Sequence, residues 1–89
     1  MKASELIADP AAFCIGTLYR NADGKPCGPD KNPVAFDCLG ALLHTYPNEV
    51  KREPLAKEVF ATCLARHGHK RLGKLSHDEA VDLLRSCNC

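Results

Sequence analysis

Apolar residues return at three- and four-residue steps in three stretches of the chain, each bounded by residues that start or stop helices. In the first, Ala35, Cys38, Leu39, Leu42 and Tyr46 share one face, the repeat of a half-buried helix. Asn32 stands ahead as a cap, Pro33 suits a first helical position and Pro47 stops the run, so the pattern predicts a helix over 33–46. Val34, Ala41 and Leu43 widen its apolar surface; this helix is expected to be central, with Leu39 and Leu42 among the least replaceable residues. Leu55, Val59, Cys63 and Leu64 form the second stripe, on a helix that begins near Asn48 or at Pro54, is placed at 54–67, and stops at Gly68. In the third, Ser76 and Glu79 have capping-box spacing, Leu75 and Ala80 can pair across the helix start, and Ala80, Leu83, Leu84 and Cys87 line up, which predicts a helix over 77–86.

Two weaker segments come before these. Residues 4–8 read as a short helix capped by Ser4 and ended by Pro10, although Asp9 and Pro10 could open a further turn. From Phe13 to Cys27 the pattern suits extended chain around an Asp23-Gly24 turn, and Pro26 confines the return arm to an edge. Gly28-Pro29-Asp30-Lys31 is linker in character. The expected fold is mostly α, a small four-helix domain over residues 1–89 with at most one short β-hairpin near residues 14–28.

Composition narrows the function classes. Hydrophobic residues make up 45% and charged residues 26%, the balance of a folded chain and not of a disordered one. With 89 residues there is apolar material for one modest core and little for a deep enclosed cavity. The net charge of +1 exerts no global pull on nucleic acid or anionic membrane, so an electrostatic partner must be met by a local patch. No run approaches the roughly 20 apolar residues of a membrane span. The first ten residues lack the apolar core of a secretion signal, so a cytoplasmic site is expected. There the six cysteines are reduced thiols. Cys14, Cys38 and Cys63 lie in apolar stretches and are expected in the core; Cys87 and Cys89, beside the chain end, are expected to be exposed and to react fastest.

Phe13-Cys14-Ile15-Gly16, Asn21-Ala22-Asp23-Gly24, Cys38-Leu39-Gly40-Ala41-Leu42 and Ser76-His77-Asp78-Glu79-Ala80-Val81 follow one another in that order. In this the chain resembles a family of small bacterial, largely actinobacterial, and phage proteins. That family shows an aromatic-Cys-x-Gly element, an Asp-x-Asp-Gly-like turn, a Cys-x-x-Gly-Ala-Leu helix and a Ser- or Thr-capped final helix. Two positions depart from it: Phe13 stands where the family usually has Trp, and a basic connector stands where it has an Asn-Asp pair. The resemblance implies the architecture; phage and mobile-element genomes carry many small chains of this kind, which act by covering a surface of a host protein.

Four constellations carry possible chemistry. Cys38, in Phe36-Asp37-Cys38-Leu39-Gly40, superficially resembles the nucleophile stretch of cell-wall cysteine peptidases. An activated thiolate, however, needs a helix N-terminus and a nearby histidine, and a helix from Asn32 would bury Cys38 well inside; no catalytic residue is expected, and Gly40 is read as admitting a neighbouring backbone. Cys63, His67, Cys87 and Cys89 could supply zinc donors, but without a Cys-x-x-Cys knuckle, and Cys63 sits on the apolar stripe; a small zinc-binding domain is the alternative, and no metal or cofactor is the expectation. At Asn21–Gly24 a calcium loop would need an acid where Tyr19 stands. Residues 66–74 hold Arg66, His67, His69, Lys70, Arg71 and Lys74 without an acid; Arg66, Lys70, Arg71 and Lys74 are the expected binding residues, with the hairpin tip contributing. A nucleic-acid phosphate binder is a second alternative, opposed by Asp78, Glu79 and Asp82 at the start of the last helix. The expectation is a non-enzymatic interaction protein whose partner is another protein.

Overall fold

The computed structural model describes residues 1–89. The chain forms four α-helices and one two-stranded antiparallel sheet. Helix α1 spans Ala3–Leu6 and is followed by a 3-10 turn at Pro10–Ala12, where the Asp9 carboxylate accepts from the Ala11 N–H at 2.9 Å. Strand β1 (Tyr19–Arg20) pairs with β2 (Ala35–Phe36). Helices α2 (Cys38–Thr45), α3 (Glu49–His67) and α4 (His77–Ser86) follow, with a 3-10 turn at Leu72–Lys74 between the last two. No helix is long and apolar enough to cross a membrane.

The helix expected over 33–46 begins only at Cys38, because Asp37 and not Asn32 is its cap. The Asp37 carboxylate accepts from the Gly40 N–H at 2.6 Å, while Asn32 adopts a left-handed φ of 53°. Ala35 and Phe36 are drawn instead into the sheet. Tyr19 stands opposite Phe36 and Arg20 opposite Ala35, the Val34 N–H donates to the Arg20 carbonyl at 2.8 Å, and the Asp37 N–H donates to that of Leu18 at 3.2 Å. Ala35 and Phe36 are both buried, so their apolar character blends into that of α2, and the repeat by itself does not show where strand gives way to helix. The hairpin expected within 14–28 survives only as a tight turn at Asn21–Lys25 and a single bridge from Arg20 to Pro26. The strand that completes the sheet comes from outside that window.

Helix α3 takes the earlier of its two starts, with the Asn48 side chain accepting from the Lys51 N–H at 3.1 Å, so it begins five residues before Pro54. Pro54 lies inside the helix and leaves the Val50 carbonyl without a helical donor. Val50 is exposed, in the first turn of the helix. Helix α4 runs over its expected 77–86, and both capping-box bonds form: Glu79 N–H to Ser76 Oγ at 3.2 Å, Ser76 N–H to Glu79 Oε1 at 2.9 Å.

Ile7, Leu42, Val59, Leu75, Leu83 and Leu84 are fully buried together with Cys38 and Cys89. The expectation that Cys87 and Cys89 are exposed is therefore corrected: both are buried. Helix α4 ends with Asn88 at φ 57°, the Cys89 N–H returning to the Leu84 carbonyl at 2.8 Å and the Asn88 N–H to that of Arg85 at 3.0 Å. This left-handed C-terminal cap folds the last residue back over the helix it ends. The Cys89 carbonyl then accepts from the Ser4 N–H at 3.0 Å and from the Tyr46 hydroxyl at 3.3 Å, which ties α4 to α1 and α2. Leu39, expected in the core beside Leu42, only packs partly buried against it.

Candidate functional site

Three backbone segments meet at Asp37. Leu18 presents its carbonyl to the Asp37 N–H, and its oxygen lies so close to Gly40 that a Cβ there would overlap it. This is the close backbone approach for which a glycine inside a helix is suited. A Cβ on Gly73 would stand 2.9 Å from Asp37 Oδ2, and the Gly16 N–H donates to the Gly73 carbonyl at 3.2 Å. Two glycines thus let the 16–18 segment and the 72–74 turn close over the start of α2. Asp37 is buried there, 3% exposed; loss of hydration raises its carboxyl above the usual range, and the N–H groups of Gly40 and Leu39 offset part of the rise.

Over this junction lies a groove of about 550 Å³. Its lining takes in residues 16–18 and 68–74 together with Asp37, Leu39 and the α3 residues Phe60, Cys63 and Leu64. Phe60 and Leu64 are four residues apart on α3, one helical turn, and are 50% and 57% exposed. The sequence places Leu64 in the buried stripe, but of that stripe only Val59 and Cys63 are buried in the core shared with α4, and Leu64 lines the groove.

The four expected binding residues divide into two pairs. Arg66 is bound to Asp82 at 3.2 Å and Lys70 to Glu79 at 2.8 Å, so the connector is not a run of unpaired charge. Arg71 and Lys74 line the groove and have no carboxylate within ion-pair distance. The acids on α4, opposed to DNA when read in sequence, neutralise half of the patch because α4 starts beside the end of α3. Glu79 is the hub of this arrangement: the Lys70 ammonium, then the Ser76 N–H, hold its carboxyl down at about 2, and His67 Nδ1 lies 3.4 Å away. The hairpin tip at Asn21–Lys25 does not line the groove; the base of that loop, Gly16–Leu18, does.

Cys38 is the first residue of α2, not a residue deep within it. Even so, burial and the neighbouring Asp37 carboxylate push its thiol up to about 12, and it stays protonated at neutral pH. The zinc donors do not converge. Cys63 Sγ contacts the Lys70 carbonyl at 3.5 Å, Cys87 Sγ the Thr62 hydroxyl at 3.5 Å and Cys89 Sγ the Cys87 carbonyl at 3.4 Å, while His67 faces Glu79. No group of three or more histidine, cysteine or acidic side chains is placed to hold a metal ion. All six cysteines are free thiols, and Cys27 alone among them is not buried.

The sequence does not reveal the groove's apolar half, since Leu64 reads there as part of the core stripe and Phe60 is assigned to no face. Their one signal was that Phe60 lies off the Leu55–Val59–Cys63 line. No family model, curated protein or solved structure matches the chain.

Proposed function

We propose that this is a non-enzymatic interaction protein of the cytoplasm that binds an acidic surface of another protein through the groove and its Arg71–Lys74 rim. One observation carries the reading: the exposed apolar pair Phe60 and Leu64 shares a groove with two cations that no acid of the chain neutralises. Apolar area ringed by uncompensated charge of one sign gives a partner both affinity and orientation. The protonated, buried Cys38 supports a role without nucleophilic catalysis, and six free thiols support a reducing compartment. The order of the Phe13-Cys14-Ile15-Gly16 and Cys38–Leu42 elements supports the family resemblance, and with it a phage or mobile-element protein that covers a host protein. Glu79 and Asp82, seated on the other two cations, weigh against a nucleic-acid backbone as the partner.

Affinity capture from a native lysate with immobilised wild type and the double variant Arg71→Glu, Lys74→Glu tests this. A partner retained by wild type at low salt is expected to be lost with the variant and released by salt. Equal capture by the two proteins refutes the reading. Neither side chain forms an ion pair within the chain, so the variant is expected to fold normally.

A further inference from the structure

We infer that the groove takes a short acidic peptide segment anchored by one large apolar side chain, the anchor lying against Leu39, Phe60 and Leu64 and its flanking carboxylates on Arg71 and Lys74. This rests on the protein-binding reading above and names the kind of segment bound.

Size sets the first limit. At about 550 Å³ the groove falls within the roughly 300–1,000 Å³ of sites that enclose small ligands. It is too small to seat the long face of a helix, which is about 10–12 Å across with its side chains. One anchoring side chain with the backbone on either side is the appropriate scale.

Charge sets the second. Within the connector the chain satisfies Arg66 and Lys70 itself, through Asp82 and Glu79, and leaves Arg71 and Lys74 free. The unsatisfied charge is therefore confined to the 71–74 turn, beside the apolar lining. Asp37 is the groove's only acid; Gly40 and Gly73 cover it closely, so a ligand's carboxylates are directed away from it and toward the turn.

Backbone donors agree. The N–H groups of Thr17 and Arg71, both in the groove lining, donate to no acceptor in the chain. An extended segment laid along the groove would offer them carbonyl oxygens. A second copy of this chain would bring an identical cationic rim, which favours a foreign acidic segment as the occupant.

The test is selection from a yeast-displayed library of random nonapeptides on the full-length protein under reducing conditions. Enrichment is expected for a central Leu, Ile, Met or Phe flanked by Asp and Glu. Replacing that anchor by Ala in a selected peptide should weaken binding about tenfold or more, as loss of several buried methylenes implies. The variants Phe60→Ala and Leu64→Ala, at half-exposed positions, should abolish the anchor preference and keep a weaker, salt-sensitive binding. Acidic peptides selected without an apolar anchor, still dependent on Arg71 and Lys74, would overturn this inference and leave the electrostatic reading standing. Peptides with no acidic bias, indifferent to Arg71→Glu with Lys74→Glu, would overturn both. Amide shifts at Gly16–Leu18 and 69–74 that depend on protein concentration and not on peptide would assign the groove to a second copy.

Discussion

Replacing Gly40 by alanine should destabilise the protein, against the ordinary sign of that change in a helix. At an unencumbered helical site, glycine to alanine gains about 0.8–1 kcal/mol from helix propensity. Gly40 is different because the Leu18 carbonyl occupies the space a Cβ would need, and the obstacle is backbone, not a movable side-chain tip. Either α2 or the 16–18 segment must shift. Overpacking of this kind costs about 1–3 kcal/mol. The shift also threatens the bond from the Asp37 N–H to Leu18 and the cap from Asp37 to the Gly40 N–H, each net worth about 0.5–1.5 kcal/mol. With both bonds lost, the balance against the propensity gain is a loss of about 1–5 kcal/mol. For a domain of this size each kcal/mol moves the melting temperature by about 4–8 °C. Thermal unfolding followed by circular dichroism, with urea titration to confirm an unchanged slope, reads the effect directly. A Gly40→Ala protein that melts at or above the wild-type temperature would show that the start of α2 does not pack on Leu18 in this way.

Other substitutions separate residues that look alike in sequence. Leu42→Ala, at a fully buried site, should cost about 2–5 kcal/mol, and Leu39→Ala clearly less because Leu39 is only partly buried; urea midpoints in the reverse order would contradict the core described here. Under native reducing conditions Cys27 should be the first thiol to react with a maleimide, and Cys87 and Cys89 should be as slow as Cys38; fast labelling of Cys89, located by mass spectrometry, would mean that the Asn88 cap does not hold. Glu79 has its carboxyl lowered from 4.5 to about 2, so its stabilising contribution is complete above about pH 4.5 and is lost as pH falls from there toward 2. Glu79→Gln keeps an acceptor for the Ser76 N–H but not the charge; its stability should be lower at neutral pH and should fall less steeply on acidification, and parallel acid limbs for the two proteins would count against the Lys70–Glu79 pair.

Helix α4 was legible from residue types alone. Ser76, Glu79 and the Ala80–Leu83–Leu84 stripe make a local signal: cap and first turn satisfy one another within four residues, and no distant partner is needed. The mostly helical class, with at most one short sheet, followed from the same kind of signal, as did the use of Gly40 for close approach; the sheet's second strand did not. Tertiary structure decided the rest wherever a residue's state depends on a partner far along the chain. Ala35 and Phe36 leave the helical pattern because β1, some fifteen residues earlier, takes up their backbone groups, and a period of apolar residues does not reveal that competition. Cys89 is buried because Asn88 turns left-handed and Ser4 and Tyr46 meet the terminal carbonyl; the asparagine was visible, its meeting with α1 and α2 was not. For the same reason the connector showed four cations in sequence and presents only two unneutralised ones, Arg71 and Lys74. Charge neutralisation depends on distance in space, and the packing of α4 beside the end of α3 put Asp82 and Glu79 on the others.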